Sequence, residues 1–329
     1  MRGNPTPTRV FAVLVVVAVA VTGFALVKAR HSQEHLQRTA AAGRHRHRRK
    51  SCKKSTTCHS KASHKTTSAS GDPAQWRYLA AGDSYAAAPG VPSTSEDGGC
   101  RRSDHDYAHL LATKLGITHL DDVTCTGATP ANTADSQRGS TPPQFKALDD
   151  HTNLVTVTLG VNQGGLFGGL TSGCASVRSD DPSGHPCEDR NDAATTTFND
   201  LADAADDAVR DVLVQAHRLT PHGRVILIDY PRLAPSEGTC SALPFAAGDY
   251  PFVNGVIKRL DDDLRDAAAA TGSDFIDLWK PSAGHDVCSS DPWVNGGSDT
   301  SDAIAYHPLP REQVAVADLI AKELAGQHV

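Results

Sequence analysis

Short apolar runs alternate along the chain with longer stretches in which apolar residues recur at helical spacing. The short runs are flanked by turn residues, which is typical of buried strands. They predict strands at 78–81, 154–159, 225–228 and 275–278, with a shorter extended stretch at 122–124. The longer stretches predict helices at 192–217, 253–270 and 311–324. In the first of these, the periodic positions are Phe198, Leu201, Ala205, Val209, Val212 and Ala216.

Continuous apolar strands separated by helices predict a single α/β domain. Strands of this kind are buried on both faces, which requires helices on both sides of a parallel sheet. Residues 76–329 are numerous enough to form one core of this type, and the chain has no evident internal repeat. We therefore expect a three-layer α/β/α sandwich with a central parallel sheet, in which ligands bind beyond the carboxyl ends of the strands.

The segment from about 167 to 190 differs in composition from its surroundings. It is rich in Gly, Ser, Asp and Pro and shows no period. We expect an irregular excursion over the edge of the sheet. Because it follows closely on the predicted strand at 154–159, it is a candidate wall of the ligand pocket.

A serine lies at the predicted turn between the first strand and a helix, in the tetrapeptide Gly82-Asp83-Ser84-Tyr85. A hydroxyl at the carboxyl end of a strand projects from the sheet, and the N–H groups of the following helical turn can face an oxyanion. Ser84 is therefore a candidate nucleophile. Gly-Asp-Ser is also an ordinary turn sequence, so this motif alone leaves both interpretations open.

Three further residues follow in an order that suits the same chemistry. Gly127 closes an extended stretch, where a glycine lets the backbone approach a substrate closely. Asn162 follows the strongest predicted strand and can aim an amide N–H at developing negative charge, and His307, in a loop ahead of the last helix, can act as general base. Taken singly, Gly127 and Asn162 could be plain turn residues and His307 a surface histidine. His285 and Asp286 are interpreted as residues that shape a loop.

These four blocks, in this order, resemble the SGNH (GDSL-type) hydrolase family, in particular its secreted actinobacterial esterase and lipase branch. The resemblance runs from about residue 76 to the C-terminus and carries over Ser84, Gly127, Asn162 and His307. It implies the flavodoxin-like fold of that family, a carboxylic ester hydrolase, and no metal or organic cofactor. Flanking segments that also resemble this branch are Cys100-Arg101-Arg102-Ser103 with Tyr107, Gly223-Arg224-Val225 with Tyr230-Pro231-Arg232, Gly284-His285-Asp286-Val287-Cys288, and Trp293-Val294-Asn295-Gly296.

The resemblance also implies a mechanism. Ser84 would attack an ester carbonyl while His307 takes its proton, and water would then cleave the acyl-enzyme. The backbone N–H groups of Ser84 and Gly127 and the side chain of Asn162 would form the oxyanion hole. We expect a monomer that acts on a small-molecule or lipid ester. An acyltransferase, a carbohydrate O-deacetylase and a catalytically weakened surface-binding protein are the alternatives.

Two positions depart from the family pattern. Gln163 follows Asn162 where the family commonly has Asp, which removes no donor that the mechanism needs. The aspartate usually found three residues before the histidine is replaced by Ile304. An imidazole without a partner on its second nitrogen can adopt the wrong tautomer. The resemblance implies that a main-chain carbonyl can serve instead, as it can in relatives of this branch, so we expect the carbonyl of Ile304 to orient His307. Asp302 is the competing candidate.

The chain has eight cysteines, with neither a zinc-ribbon pattern nor a Cys-x-x-Cys pair. The family resemblance implies three bridges, Cys100–Cys125, Cys174–Cys187 and Cys240–Cys288. Cys52 and Cys58 remain in the N-terminal region and could form a fourth pair. Disulfides persist in oxidising compartments, so we expect the enzyme domain to lie outside the cytoplasm.

The N-terminus supplies a route for export. Arg2 and Arg9 precede an apolar stretch at 10–27, whose length lies between a signal-peptide core and a full membrane span. Residues 1–29 are therefore predicted to be a signal peptide or a signal anchor, followed by a tether at 30–75 and the hydrolase domain at 76–329. The twelve Lys or Arg at 28–65 argue against this topology, because basic residues normally stay on the cytoplasmic side. The cysteines and the family resemblance outweigh that objection.

The tether is predicted to be disordered and basic. Residues 1–65 carry a charge of +13 in a chain whose net charge is −6, so the remainder carries −19. Such a tether could rest against anionic cell-wall polymer or lipid headgroups, or it could be a plain solvated spacer. Nucleic-acid binding is not expected, because the basic run lacks interleaved aromatic residues. The irregular spacing of its His and Cys residues argues against a metal site there.

Overall fold

A parallel sheet of five strands forms the centre of the protein. The computed structural model describes residues 71–326, so the predicted signal segment, most of the predicted tether, Cys52 and Cys58 lie outside the described residues. In chain order the strands are β1 (Arg77–Gly82), β2 (Thr94–Ser95), β3 (Arg102–Ser103), β4 (His119–Asp122), β5 (Leu154–Thr158), β6 (Arg224–Ile228) and β7 (Asp274–Ile276). The sheet order is β4-β1-β5-β6-β7 with all neighbours parallel, and β2 and β3 form a separate antiparallel pair.

Helices connect these strands and cover both faces of the sheet. They are α1 (Ser84–Ala87), α2 (Tyr107–Leu115), α3 (Leu166–Gly168), α4 (Cys174–Val177), α5 (Pro186–Asp192), α6 (Phe198–Leu219), α7 (Asp249–Thr271) and α8 (Pro310–Leu324). A π-helical turn at Gly169–Gly173 joins α3 to α4. Short 3₁₀ turns lie at Pro73–Gln75, Asp97–Gly99, Pro130–Thr133, Gln144–Ala147 and Gln163–Gly165.

The side chains of β1 alternate between two hydrophobic cores, one on each face of the sheet. Leu79 and Ala81 belong to the core beneath α6 and α7, whereas Tyr78 and Ala80 belong to the core beneath α2 and α8. Successive side chains of a strand point to opposite faces, so the sheet is buried on both sides. This confirms the predicted three-layer α/β/α sandwich.

Several predicted elements have different bounds in the structure: the helix predicted at 253–270 begins at Asp249, and the strand predicted at 275–278 ends at Ile276. Two further differences have a visible cause. The helix predicted at 192–217 begins only at Phe198, because Thr197 and Asp200 form a capping box that satisfies the first N–H groups there. The extended stretch predicted at 122–124 belongs to a strand that begins at His119. Beyond Asp122 the chain stays bonded to β1, since the N–H groups of Val123 and Cys125 donate to carbonyls of β1 at 3.0 Å each.

The segment predicted as an irregular excursion at 167–190 is largely helical, which corrects that part of the prediction. Its Gly and Ser content conceals an apolar series at helical spacing, whose members Leu166, Leu170, Cys174 and Val177 are all buried in the core. Apolar residues three and four apart lie on one face of a helix. Burial of that face therefore outweighs the low helix propensity of the glycines.

The three disulfides implied by the family resemblance are present, Cys100–Cys125, Cys174–Cys187 and Cys240–Cys288. The Cys174–Cys187 bridge joins the short helices α4 and α5, and the other two bridges join residues in loops. Among residues 71–326, no helix is both long and apolar enough to cross a membrane.

Candidate active site

Ser84 lies where β1 ends and α1 begins, as the sequence predicted. It is buried, with 2% of its surface exposed, and it is the first residue of α1. The carboxylate of Asp83 caps this short helix by accepting a hydrogen bond from the Tyr85 N–H at 2.9 Å. Gly82 is required by the packing here, because a Cβ on it would lie 2.6 Å from the Ala86 Cβ. The turn therefore presents the serine with its N–H free of any intrahelical acceptor.

Tyr230, just beyond β6, joins the serine turn to the end of β5. Its hydroxyl donates to Asp83 Oδ2 at 2.7 Å and accepts from the Val161 N–H at 3.2 Å. Burial raises the pKa of Asp83 to about 7, although the hydrogen bonds from Tyr85 and Tyr230 act in the opposite direction. One buried hydroxyl thus fixes two neighbouring strand ends relative to each other. From the sequence, Tyr230 is recognisable only as part of a family motif, without a role.

Gln144 provides a second support beneath the serine turn that the sequence analysis missed. Its side-chain oxygen accepts from the Gly82 N–H at 2.9 Å, and its side-chain nitrogen donates to the Gly82 carbonyl at 2.9 Å. The amide therefore bonds both backbone groups of Gly82, the last residue of β1. No pattern near Gln144 signals this contact, which spans 62 residues of chain.

Asn162 and Gly127 lie together, on the loops that follow β5 and β4. The Asn162 side-chain amide donates to the carbonyl of Ala128, the residue after Gly127, at 3.1 Å. Gly127 is exposed and has a φ of +78°, a conformation that L side chains rarely adopt. The two candidate oxyanion donors thus share one edge of the sheet with Ser84, at the carboxyl ends of three adjacent strands.

His307 is buried, with 8% of its surface exposed, and its ring is fixed by a backbone carbonyl. Its Nδ1 lies 2.7 Å from the Ala305 oxygen. A carbonyl can only accept, so the proton resides on Nδ1 and the Nε2 lone pair is free. Burial lowers the pKa of His307 to about 4, with the Ala305 carbonyl opposing that change and the charge of Arg101 adding to it. The imidazole is consequently neutral at physiological pH and available as a base.

The structure corrects the expected partner of His307. A main-chain carbonyl orients the ring, but it belongs to Ala305 and not to Ile304. The Ile304 carbonyl instead accepts from the His307 N–H and from the side chain of Asn295, both at 3.2 Å. Asp302 is exposed and its carboxylate accepts from the Ser301 hydroxyl at 3.1 Å, so it does not orient the imidazole either.

Asn295 shapes the loop that leads to His307. Its side-chain amide nitrogen donates to the carbonyls of Ser298, Ala303 and Ile304 at 2.9, 2.9 and 3.2 Å. Its own N–H donates to the His307 carbonyl at 2.9 Å. From the sequence, Asn295 is recognisable only as part of a flanking motif. The structure shows it as the central hydrogen-bonding residue of this loop.

Aromatic contacts bring the histidine to the serine turn. The ring of Tyr85, next to Ser84 in the chain, stacks on the His307 ring at a centroid distance of 6.0 Å. Phe167 meets both rings edge-on, at 5.3 Å from His307 and 5.8 Å from Tyr85. The Tyr85 hydroxyl also donates to the Tyr306 carbonyl at 2.9 Å. The residues before His307 are thereby bonded directly to the element that carries Ser84.

A cavity of about 530 Å³ opens beside His307. One wall comes from the helical segment after Asn162, as predicted for the segment 167–190, and the opposite wall comes from the histidine loop. The lining residues are Phe167, Gly168, Thr171, Ser172, Ala175, Ser176, Pro244, Gly297, Ala305, Tyr306 and His307. Phe167, Ala175, Pro244 and the Tyr306 ring give this cavity an apolar character suited to an acyl chain.

His285 and Asp286 shape a loop, in line with their interpretation from sequence. The His285 ring stacks on Trp293 at 4.9 Å and its Nδ1 bonds the Asp291 carbonyl at 2.7 Å. Asp286 accepts from the Cys288 N–H at 2.9 Å. Both side chains are thus engaged in holding their own loop.

The chain is similar to known lipases and esterases in both sequence and structure. The sequence model of the GDSL-like Lipase/Acylhydrolase family matches residues 80–311. Lipase 2 of Streptomyces coelicolor is 36% identical over 220 residues, which cover 65% of this chain and 73% of that lipase. An esterase of Streptomyces scabiei is 29% identical over 293 residues, with 75% of this chain and 84% of the esterase covered. The crystal structure of phospholipase A1 from Streptomyces albidoflavus, 25% identical, superposes with a TM-score of 0.64 over 76% of this chain and 99% of that one.

Proposed function

The chain belongs to the GDSL-like Lipase/Acylhydrolase family and is a carboxylic ester hydrolase, and we propose that it works through an acyl-enzyme on Ser84 with His307 as the base. The observation that carries this proposal is the state of the His307 ring. Its Nδ1 proton is committed to the Ala305 carbonyl, and it lies against Tyr85, the residue that follows Ser84. The free Nε2 is the atom that a serine hydroxyl requires as proton acceptor.

In the first half of the reaction, the Ser84 oxygen attacks the carbonyl carbon of the ester as its proton passes to His307 Nε2. The imidazolium that forms is stabilised by the Ala305 carbonyl, which takes the place of the carboxylate in a Ser-His-Asp triad. Collapse of the tetrahedral intermediate expels the alcohol, which receives the proton from His307. Water then repeats the sequence on the acyl-enzyme and releases the acid.

The oxyanion of each tetrahedral intermediate is assigned to three donors, the N–H groups of Ser84 and Gly127 and the side-chain amide of Asn162. The Asn162 amide has two N–H groups, and its bond to the Ala128 carbonyl uses only one of them. That bond also fixes the amide orientation, because a carbonyl cannot accept from the side-chain oxygen. Donors held in place before the reaction stabilise the developing charge without reorganisation.

We place the acyl group of the substrate in the cavity beside His307. Phe167 and Tyr306 line it together with small side chains, and none of its lining residues is acidic or basic apart from His307 itself. The lining hydroxyls of Thr171 and Ser176 already donate to the Phe167 and Gly173 carbonyls, at 2.7 Å each. This favours a lipid or other aliphatic acyl ester over an acetylated sugar, whose hydroxyl groups would need polar partners. The relatives named lipase, esterase and phospholipase A1 are consistent with that substrate class.

We further propose that the enzyme acts outside the cytoplasm. The three disulfides among the described residues support this location, because such bonds persist in oxidising compartments. The signal sequence or anchor at 1–29 and the docking of the basic segment on an anionic surface are further parts of this proposal, and both concern residues outside the described range.

Hydrolysis of p-nitrophenyl esters from acetate to palmitate by the full chain tests the proposed function. We expect turnover by the wild type and a loss of roughly four to six orders of magnitude in kcat for Ser84→Ala and for His307→Ala. Ser183→Ala is the matched control, because Ser183 is exposed and bonds only its neighbour Asp181. Equal turnover by the wild type and Ser84→Ala would refute the assignment of the nucleophile.

A further inference from the structure

Asp106, His109 and Asp122 bring three potential metal ligands together at the outer edge of the sheet. One ligand atom from each of the three residues lies within 4.8 Å of the other two. Asp106 precedes α2 and caps it, His109 lies in the first turn of α2, and Asp122 is the last residue of β4. The cluster therefore links α2 and β4, two elements that are also connected by a short loop and packed against each other.

One oxygen of this cluster has no partner. Asp106 is fully buried, yet among the described residues its Oδ2 makes no hydrogen bond. Its Oδ1 is already used, since it accepts from the His109 N–H and lies 2.9 Å from His109 Nδ1. A buried carboxylate oxygen without a partner is costly. A bound cation would remove that cost.

Asp122 contributes a second carboxylate with unused capacity. Its Oδ1 accepts from the N–H and the hydroxyl of Thr124, at 3.0 and 2.7 Å. Its Oδ2 faces the Arg102 guanidinium at 3.7 Å, which is too long for a hydrogen bond, and Arg102 instead donates to the Thr124 carbonyl at 2.9 Å. The two carboxylates thus lie close together, and the hydrogen bond that Arg102 makes goes to the backbone and not to Asp122.

We propose that Asp106, His109 and Asp122 form a binding site for a divalent transition-metal ion of the zinc type. An imidazole with two carboxylates is a donor set that zinc accepts, with metal–ligand distances of about 2.0–2.2 Å, whereas calcium and magnesium prefer oxygen ligands alone. The His109 side chain is 38% exposed, which leaves a route for the ion and room for a water ligand. The site is separate from Ser84 and His307. Its role is to tie the start of α2 to the end of β4, five residues ahead of Gly127.

Zinc binding by the full chain, stripped of metal with a chelator, tests this proposal. Calorimetric titration with zinc chloride is compared among the wild type, Asp122→Asn and His109→Gln. The wild type should bind one equivalent more than either variant, because other histidines and cysteines of the chain can bind zinc equally in all three. At zinc a hundredfold above Kd, the wild-type Tm should rise by roughly 5–10 °C more than the Tm of the variants.

The double variant Asp104→Asn/His105→Gln is the matched control. Asp104 and His105 form an exposed pair with a separation of 2.6 Å on the same segment, but they lie outside the cluster. This control should keep the additional equivalent of zinc and the Tm response. Equal stoichiometry and equal Tm responses in all four proteins would overturn the proposal and leave protonated His109 as the counter-charge of the two carboxylates.

A spectroscopic titration keeps the test decisive if Asp122→Asn fails to fold. Cobalt(II) added to the metal-free wild type should give visible absorption bands of a site with mixed nitrogen and oxygen ligands, and zinc should abolish them. His109→Gln, at a partly exposed position, should lack those bands. Identical cobalt spectra in the wild type and His109→Gln would contradict the proposed site.

Discussion

The serine turn (residues 82–88) and the histidine loop (residues 293–309) carry the two reacting side chains but are built differently. The serine turn joins a central strand to a helix, and its backbone is bonded to β5 through the Asp83 N–H and the Thr158 carbonyl at 2.9 Å. The histidine loop lies between β7 and α8, and its regular pairing is limited to one bridge, between Val294 and Pro308. Backbone bonds join the two arms of this loop, from the Tyr306 N–H to the Gly296 carbonyl at 2.9 Å and from the Leu309 N–H to the Trp293 carbonyl at 2.8 Å. The side chain of Asn295 adds bonds to carbonyls within the loop.

This difference shows that the two reacting side chains are positioned by residues at different distances along the chain. Where a strand is followed directly by a capped helix, neighbouring residues position the nucleophile, since the cap and the first helical residue are adjacent in the chain. A base on a loop needs distant partners as well as local ones. The Ala305 carbonyl, two residues earlier, orients the His307 ring. The loop itself is bonded to Asn295, twelve residues before His307, and to Tyr85, more than two hundred residues before it. We therefore expect substitutions in the two regions to separate stability from turnover in different ways.

The largest effect in this comparison is expected at Asn162, beside the serine turn. Asn162→Ala removes a donor to the oxyanion but leaves β5 and its neighbours intact, so kcat should fall by about 10²–10³-fold with little change in Tm. Steady-state kinetics and thermal unfolding measure the two quantities. Gln163→Ala, one residue further on, should retain turnover within a factor of about two, and an equal loss in that variant would remove Asn162 from the oxyanion hole.

Asn295→Ala probes the histidine loop in the same manner. Loss of three bonds to carbonyls should let the loop move and displace His307, which should lower kcat by roughly 10–100-fold while KM changes less. Because this support is local to the loop, the free energy of unfolding should fall by only about 1–3 kcal/mol. Asp302→Asn, at an exposed position of the same loop, should behave as the wild type. Loss of activity in Asp302→Asn would restore Asp302 as the partner of His307.

Tyr230→Phe tests the buried link beneath the serine turn and should have a smaller effect. The change leaves Asp83 Oδ2 and the Val161 N–H without their shared partner, so kcat should fall by roughly 3–10-fold and stability by about 1–3 kcal/mol. Tyr78→Phe is the control, because it removes a buried hydroxyl that bonds only Thr156, at 2.9 Å, within the sheet. Tyr78→Phe should lose stability but keep kcat. Equal kcat values in both variants would deny Tyr230 a positioning role.

The smallest effect is expected from moderate acidification. The reaction requires neutral His307, whose pKa is lowered to about 4 mainly by burial. As pH falls, the base is therefore lost only near pH 4, and kcat/KM should change by less than about twofold between pH 7 and pH 5. The contribution of His307 to folding stability declines as pH drops below the ordinary value of about 6.5. The raised pKa values of Asp83, about 7, and Glu312, about 8, act in the opposite direction, so circular dichroism must accompany the kinetics.

The Asn295→Ala variant sharpens this pH measurement. If the loop opens, water reaches the imidazole and its pKa should move back towards about 6.5. The acid limb of kcat/KM should then shift upwards in Asn295→Ala and stay in place in Asp302→Asn. An acid limb near pH 6.5 in the wild type would contradict the buried, carbonyl-bonded state of His307.

The two regions also differ in how far the sequence predicts them. The strands, the three-layer fold and the place of Ser84 follow from local patterns, because apolar runs and a strand-to-helix turn are recorded in consecutive residues. Gln144, Tyr230 and Asn295 could not be assigned their roles, since each acts through side-chain to backbone or side-chain to side-chain bonds set by the folded chain. The partner of His307 was placed one residue early for the same reason. Tyr306, just before His307, has a φ of +62°, and no residue spacing reveals such a bend.

The most direct test of the central claim is the labelling of the protein by a fluorophosphonate, followed by intact mass and peptide mapping. One adduct is expected, on Ser84, which forms in the wild type, is absent in Ser84→Ala and forms at least about a thousandfold more slowly in His307→Gln. An adduct on another residue, or an unchanged rate in His307→Gln, would contradict a Ser84 nucleophile activated by His307.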